Sequence, residues 1–174
     1  DAMGGDDAPG MVVDGLNLAR ANNPKIGFIV FGDENKLAPL FEKYPELASI
    51  CKIHHTKDTI SNDDNVAHAL RSGRNSSMRL AINAVSENRA NGVISAGNTG
   101  ALMAMAKFVF KTLPGIDRPA IATHFPTSKG KSLMLDLGAN LECDAQNLVQ
   151  FAVMGEVFSR QVVGLENPSV GILN

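Results

Sequence analysis

Residues 92–104 read GVISAGNTGALMA, and this stretch decides the fold class. An apolar run as long as a strand, residues 92–95, is followed by two glycines, Gly97 and Gly100, and by an Ala- and Met-rich stretch over residues 99–111. This order predicts a strand, a tight turn and a helix, and such units build α/β folds.

The same alternation continues along the chain. Because short apolar strands of this kind are usually covered on both faces, we expect a parallel sheet with right-handed βαβ connections. We expect residues 112–126 to be largely loop. The other predicted strands cover residues 26–31, 50–54, 120–123, 132–135 and 169–173, and the other predicted helices cover residues 9–21, 77–88 and 144–163.

Composition limits the class of protein. The chain has 174 residues, of which 44% are hydrophobic and 20% charged, so it is typical of a soluble globular protein. A net charge of −2 without a basic run argues against a nucleic-acid partner. The two cysteines, Cys51 and Cys143, have no metal or redox spacing and are interpreted as ordinary thiols. We interpret residues 1–174 as part of a single α/β domain, truncated at both ends.

The turn at residues 95–101 is the strongest candidate for chemistry. Its glycines allow a close backbone approach, and Asn98 or Thr99 is suited to cap the following helix. The exposed N–H groups and the positive end of that helix would attract phosphate or a carboxylate. The alternative is a strand-to-helix turn with a good cap and no ligand.

Residues 1–9, DAMGGDDAP, offer a second turn before a helix. Gly4 and Gly5 allow another close approach, and Asp1 and Asp6 would face the crevice at the carboxyl ends of the strands. Asp6 suits a functional role and a turn-making role equally, whereas we interpret Asp7 as the cap of the helix near Pro9.

Two further stretches combine polar residues with element ends. Asp136, Gly138 and Asn140 follow a predicted strand and form either a site or an Asx-type turn. Ser76 or Ser77 would cap the next helix, and Arg79 would either bind phosphate bidentately or lie in solvent. The pair at residues 54–55, His-His, has no carboxylate at metal spacing, so no metal site is predicted.

Several motifs together resemble the PlsX family of phosphate acyltransferases, in the order and spacing of that family. They are DAMGGD at residues 1–6, SSMR at 76–79, SAGNTGALMA at 95–104, PGIDRPA at 114–120, DLGAN at 136–140 and QFAVMGEVF at 150–158. The chain departs from the family at Asp7, where a histidine is usual, so no role of that histidine carries over. The family also continues for about as long again.

The resemblance implies a three-layer α/β/α sandwich similar to the isocitrate and isopropylmalate dehydrogenases, incomplete in this chain. It implies a cytoplasmic homodimer that works at the inner face of the cell membrane. There it would make acyl-phosphate from acyl carrier protein thioesters and inorganic phosphate, without a cofactor, and pass it to a membrane glycerol-3-phosphate acyltransferase.

Motif positions assign the residue roles under this resemblance. Attack by phosphate on a thioester needs a held dianion and a stabilised oxyanion, and no covalent enzyme intermediate. The expected catalytic residues are Asn98, Thr99, Asp136 and Asp6. The expected phosphate- or substrate-binding residues are Gly4, Gly5, Ser77, Arg79, Gly97, Gly100, Gly138 and Asn140. A basic rim for the acidic carrier protein would draw on Lys107, Lys111, Arg118, Lys129 and Lys131.

Two other functions remain open from the sequence. A phosphotransacetylase would share the fold and the chemistry but use acyl-CoA. A non-catalytic fragment would serve dimerisation and scaffold a cleft that is completed elsewhere. A dehydrogenase fits poorly, because the chain has neither a metal-carboxylate cluster nor a dinucleotide fingerprint.

Overall fold

The computed structural model describes residues 1–128, 130–140 and 142–173. They form two compact units, Asp1–Lys111 and the part of the chain from Thr112 onward. Helices and small sheets occur together, so the expected mixed α/β class is confirmed.

In the first unit, helices surround a parallel pair of strands. Strands β1 and β2 pair in the register Phe28↔Cys51 to Gly32↔His55. A short 3₁₀ turn, Gly73–Asn75, precedes α5. The elements in chain order are α1 (Gly10–Asn22), β1 (Phe28–Gly32), α2 (Glu34–Phe41), α3 (Pro45–Ile50), β2 (Cys51–His55), α4 (Val66–Ser72), α5 (Ser77–Ser86) and α6 (Thr99–Phe110).

Apolar side chains at helical and strand spacing form the core of this unit. One cluster joins Val30 of β1 to Val13 of α1 and Leu37 of α2. A second cluster packs Met78 and Ile82 of α5, together with residues of α4 and α6, around Met105. Met105 is fully buried.

The strand predicted at residues 92–95 does not form. The segment runs beside residue 1, and the Asp1 nitrogen donates to the Ile94 carbonyl at 3.0 Å. One such bond does not make a ladder, and the Ile94 side chain is 85% exposed. The segment still leads into the glycine turn and α6, as the sequence predicts.

The second unit is built on a hairpin. Strands β3 (Ala122–Thr127) and β4 (Gly130–Leu135) pair antiparallel, and helix α7 (Ala145–Phe158) continues into a π-helical turn, Ser159–Val163. The expected parallel pairing is wrong here, because parallel strands need a crossover of a dozen residues or so. β3 is exposed along its whole length, so it is not a strand covered on both faces.

Two boundaries in this unit also differ from expectation. The strand predicted at residues 120–123 overlaps β3 only at residues 122–123, and residues 124–126, expected to be loop, also lie in β3. Residues 169–173, expected to be a strand, have no strand assignment and pair with no strand in the described part of the chain. The side chains of Ile172 and Leu173 are 79% and 85% exposed, so burial does not hold this segment in a sheet.

Candidate functional site

The two glycine-rich turns that the sequence singled out lie against each other. A methyl group placed on Gly4 would lie 2.8 Å from the Gly97 nitrogen and 2.9 Å from the Gly97 Cα. A methyl group on Gly97 would lie 3.1 Å from the Gly4 Cα and 3.1 Å from the Met78 Cε. Only glycine permits this backbone contact, so residues 93 positions apart form one structural element.

Asp1 joins these turns by hydrogen bonds. Its Oδ2 accepts from the Ser95 hydroxyl at 2.6 Å, and its Oδ1 accepts from the Met3 amide at 3.1 Å. Ser95 Oγ in turn accepts from the Gly97 amide at 3.1 Å. The Asp1 carboxylate is therefore occupied by hydrogen bonds that hold the two turns together. Gly5 has a φ of +113°, and a methyl group there would lie 3.2 Å from the Ala96 Cβ.

Helix α6 starts at this junction. Asn98 caps it, because Asn98 Oδ1 accepts from the Ala101 amide at 3.0 Å. Thr99 is the first helical residue and is exposed. The first N–H groups of a helix have no partner within it, so Thr99 and Gly100 can present donors here. Gly100 also allows α4 to approach, since a methyl group on it would lie 2.9 Å from Val66 Cγ2.

The Asn98 amide is used within the protein. Its Nδ2 lies 3.2 Å from the Ser61 carbonyl oxygen, 3.0 Å from that of Asn62 and 3.0 Å from that of Asp64. The side chain of Asn98, an expected catalytic residue, therefore binds a loop within the protein.

That loop, residues 59–64, contributes residues 59–63 to the lining of a cleft of about 440 Å³, together with Met3, Gly5 and Asp6. Asn62 Nδ2 donates to Asp6 Oδ1 at 2.8 Å, so the Asp6 carboxylate is held at the cleft wall. Asp6 and Asp63 give this wall negative charge.

Sequence reasoning missed this loop, although a signal was present. The loop is a polar run, TISNDD, that follows β2, and β2 is parallel to β1. Ligands of open α/β sheets bind at the carboxyl ends of parallel strands. Polar residues after β2 were therefore candidates on the same grounds as those after the predicted strand at 92–95.

Helix α5 supports the junction. Ser76 is its cap, with Oγ 3.2 Å from the Arg79 amide. Ser77 is 1% exposed, and its amide donates to the Asp58 carbonyl at 2.9 Å. The Arg79 guanidinium lies over the Phe108 ring, 5.2 Å from the centroid, and its Nε donates to Asn83 Oδ1 at 3.1 Å. The contact between Arg79 and Phe108 connects α5 to α6.

Asp7 does not cap α1 as expected. The cap position is Pro9, without a side-chain cap bond, and the Asp7 carbonyl accepts from the Met11 amide at 3.1 Å. The helix begins at Gly10, three residues beyond Asp7, and this offset leaves the Asp7 side chain exposed.

In the second unit, Asp136 organises a turn after β4. Its carboxylate accepts from the Ala139 amide at 3.2 Å and from the Asn140 amide at 3.1 Å, and Gly138 has a φ of +77°. Asn140 Nδ2 bridges from Asp136 Oδ2, at 3.1 Å, to the Pro119 carbonyl, at 3.0 Å. The Asx-type geometry is thus present, and it ties the DLGAN motif to the PGIDRPA motif.

The remaining titratable candidates have structural partners or are buried. His55 Nδ1 accepts from the Glu34 amide at 3.1 Å. Burial raises the pKa of the Cys51 thiol to about 11, which disfavours the thiolate. Within the described residues, no group of three or more His, Cys, Asp or Glu side chains is placed to hold a metal ion. Lys129, one of the expected rim lysines, lies outside the described residues.

Comparison with known proteins bears on the whole chain. The family described as "Fatty acid synthesis protein" matches residues 1–174. The chain belongs to this family, the PlsX family. The motif resemblance is thereby confirmed.

Relatives of this PlsX-family chain carry a common name. The chain is similar to proteins named "Phosphate acyltransferase" from Rhodospirillum centenum, Rhodospirillum rubrum and Paramagnetospirillum magneticum, with 64%, 58% and 56% identity, respectively. Each match covers all of this chain and 49%, 50% and 50% of the relative, respectively. The chain spans about half the length of these curated relatives.

Of the helices in the described part of the chain, none is long and apolar enough to cross a membrane.

Proposed function

We propose that the protein containing this chain transfers a long-chain acyl group from an acyl carrier protein thioester to inorganic phosphate, making acyl-phosphate for phospholipid synthesis. The observation that carries the proposal is 64% identity, over the whole chain, to a protein named "Phosphate acyltransferase". The joined glycine turns at the start of α6 supply a physical basis for phosphate binding.

The chemistry requires little covalent participation from the protein. A phosphate oxygen attacks the thioester carbonyl carbon, and a tetrahedral oxyanion forms. The carbon–sulfur bond then breaks, and the carrier thiolate leaves and takes a proton. Catalysis rests on holding the dianion near the carbonyl and on donors aimed at the oxyanion.

We assign the donor role to backbone amides at the start of α6. Thr99 and Gly100 lie where a helix presents N–H groups and positive potential. Gly4 and Gly97 let the two turns pack against each other beside this helix start, and Gly5 lines the adjacent cleft without a side chain.

The other candidates take supporting roles in this proposal. Asp6 acts as a base or as an anchor through Asn62. The burial of Ser77 favours support beneath the turn, and Arg79 remains a candidate phosphate partner. Asp136, Gly138 and Asn140 hold the pantetheine arm or orient the reacting groups.

We extend the proposal to the whole protein's setting. Residues 1–174 would be part of one three-layer α/β/α catalytic domain in a homodimer. The enzyme would lie in the cytoplasm against the membrane and pass its product to a membrane glycerol-3-phosphate acyltransferase. Lys107, Lys111, Arg118 and Lys131 are candidate contacts for the acidic carrier protein.

The test uses the full-length protein with a long-chain acyl-carrier-protein thioester and phosphate, and traps acyl-phosphate with hydroxylamine. Product that requires phosphate supports the proposal. Product from acetyl-CoA, with none from the carrier thioester, would point to phosphotransacetylase-type transfer. Absence of product from either donor would contradict acyl transfer to phosphate.

A matched pair of variants tests the backbone donor. Thr99→Pro removes one N–H, yet proline is well tolerated at the first helical position, and the preceding residue, Asn98, has an extended ψ of 108°. Thr99→Ala keeps the N–H and removes the hydroxyl. We expect Thr99→Pro to lower kcat by about 100- to 1,000-fold, the usual effect of losing an oxyanion donor, with Thr99→Ala close to wild type. Equal effects of the two variants would reject the backbone role.

A further inference from the structure

The two polar atoms of the Asn98 side chain connect α6 to the loop of residues 59–64 (the cleft loop). Oδ1 accepts from the Ala101 amide at the helix start. Nδ2 faces three carbonyl oxygens of the cleft loop, those of Ser61, Asn62 and Asp64, at 3.0 to 3.2 Å. An amide nitrogen has two hydrogens, so three acceptors share them.

The loop also has internal hydrogen bonds, and one of them uses the Ser61 carbonyl that faces Asn98. Ser61 and Asp64 bond to each other, through Ser61 N to Asp64 Oδ2 at 2.8 Å and Asp64 N to the Ser61 carbonyl at 3.2 Å. Ile60 of the loop packs in the same core cluster as Ala101 and Met105 of α6, and the hydrogen bonds to the loop carbonyl groups come from the Asn98 amide. From the loop, Asn62 extends the connection to Asp6 at 2.8 Å.

These carbonyl groups matter for an anion site. Three carbonyl oxygens at the start of a helix present negative potential where the helix end would otherwise attract an anion. An amide that donates to them offsets that potential. Without it, the loop would leave acceptors beside the dianion and would release the Asp6 carboxylate from its hold.

We propose that Asn98 is a positioning residue that holds the loop of residues 59–64 against α6 and neutralises its carbonyl groups, so that the adjacent helix start can bind phosphate. The inference rests on the proposed function for its ligand. It replaces the direct oxyanion contact expected from the sequence with action through the loop and Asp6.

A matched pair of substitutions separates the amide from the cap. Asn98→Asp keeps a good cap acceptor but places a carboxylate oxygen against the three carbonyl groups. Asn65→Asp makes the same change at the cap of α4, where Oδ1 accepts from the Ala67 amide at 2.9 Å and the residue is exposed. It thus controls for charge and for capping. Asn98→Ser, a shorter cap without the amide or an added charge, serves if Asn98→Asp does not fold.

The readouts, all on the full-length protein, are hydrogen exchange of residues 59–64 by mass spectrometry, calorimetric binding of inorganic phosphate, and acyl-phosphate formation. For Asn98→Asp we expect loop amides to exchange about tenfold faster and phosphate Kd to rise about tenfold, the scale of losing one or two net hydrogen bonds. Asn65→Asp should change neither value.

Each remaining outcome decides the inference. Weaker phosphate binding with unchanged loop exchange would mean that Asn98 touches the ligand directly, which overturns it. Faster exchange with unchanged phosphate Kd would limit Asn98 to a structural role, which also overturns it. If the wild type forms no acyl-phosphate, the proposed function fails, while exchange and phosphate binding still decide the role of Asn98.

Discussion

Asp117 and Gln150 exchange two hydrogen bonds in the second unit. The Asp117 amide donates to Gln150 Oε1 at 2.9 Å, and Gln150 Nε2 donates to Asp117 Oδ2 at 2.7 Å. Gln150 is 7% exposed. A side chain of α7 thus holds the PGIDRPA motif at its acidic residue.

Gln150→Glu should destabilise the protein at neutral pH, because a second carboxylate would face Asp117 in a buried position. We expect a loss of about 1–3 kcal/mol, measured by urea unfolding. The pKa of the new carboxyl would be raised, so the deficit should shrink as pH falls and the protonated group donates again. Gln146→Glu, exposed on the same helix, is the control. A deficit that does not change with pH would contradict this account.

Gly4→Ala should disrupt the junction of the glycine turns. The added methyl group would lie 2.6 Å from Asp1 Oδ2 and under 3 Å from the Gly97 backbone, and backbone atoms cannot yield cheaply. We expect a loss of about 1–3 kcal/mol in thermal unfolding, together with reduced phosphate binding.

The control for this prediction is Gly15→Ala within α1, where a methyl group would meet nothing within 4 Å. This variant should gain about 0.5–1 kcal/mol, because alanine favours a helix more than glycine does. Equal behaviour of the two alanine variants would show that the contact at Gly4 is not restrictive.

Gly138 should respond differently to alanine and to asparagine. Its φ of +77° lies in the left-handed region, which costs most residues about 1–2 kcal/mol and asparagine less. We therefore expect the melting temperature to fall more for Gly138→Ala than for Gly138→Asn. Gly171→Ala, which has open space around it, should leave it unchanged. An asparagine variant as unstable as the alanine variant would argue against backbone strain as the cause.

Cys51 should react slowly with iodoacetamide below pH 9. Burial raises its pKa from 9.0 to about 11, so at pH 8 on the order of one thiol in a thousand is ionised. We expect its alkylation rate, followed by peptide mass spectrometry, to rise about tenfold per pH unit up to about pH 11. The exposed Cys143 serves as the comparison. A rate that levels off near pH 9 would contradict the shift.

The raised pKa of Cys51 also predicts how the free energy of unfolding depends on pH. The folded protein favours the neutral thiol, so the stability that this thiol contributes is fully present below pH 9 and is lost as pH rises from 9 toward 11.

Local patterns predicted most of the helices and the first strands. The run at residues 26–31 gave β1, and the expected helix over 99–111 appears as Thr99–Phe110. These elements follow from apolar spacing and capping residues, which act over a few positions. The β3–β4 hairpin was misread, although the two residues between its strands allow only antiparallel pairing.

The candidate site was only partly predictable, because its partners are distant in sequence. Nothing local to Asn98 indicates that its amide meets carbonyl groups 34 to 37 positions earlier. Likewise, the hydrogen bond from the Ser95 hydroxyl to the Asp1 carboxylate depends on how the two turns pack. Sequence patterns identified which turns are special, whereas tertiary packing decides what each side chain does.

The shared space between Gly4 and Gly97 also limits how this chain can diverge. A side chain on either glycine would occupy the space that the backbone of the other glycine now fills, so the two positions share one small volume. The costs of substituting both should not add, because the first change already separates the turns. Any descendant of this sequence that replaces either glycine would have to move the facing turn at the same time.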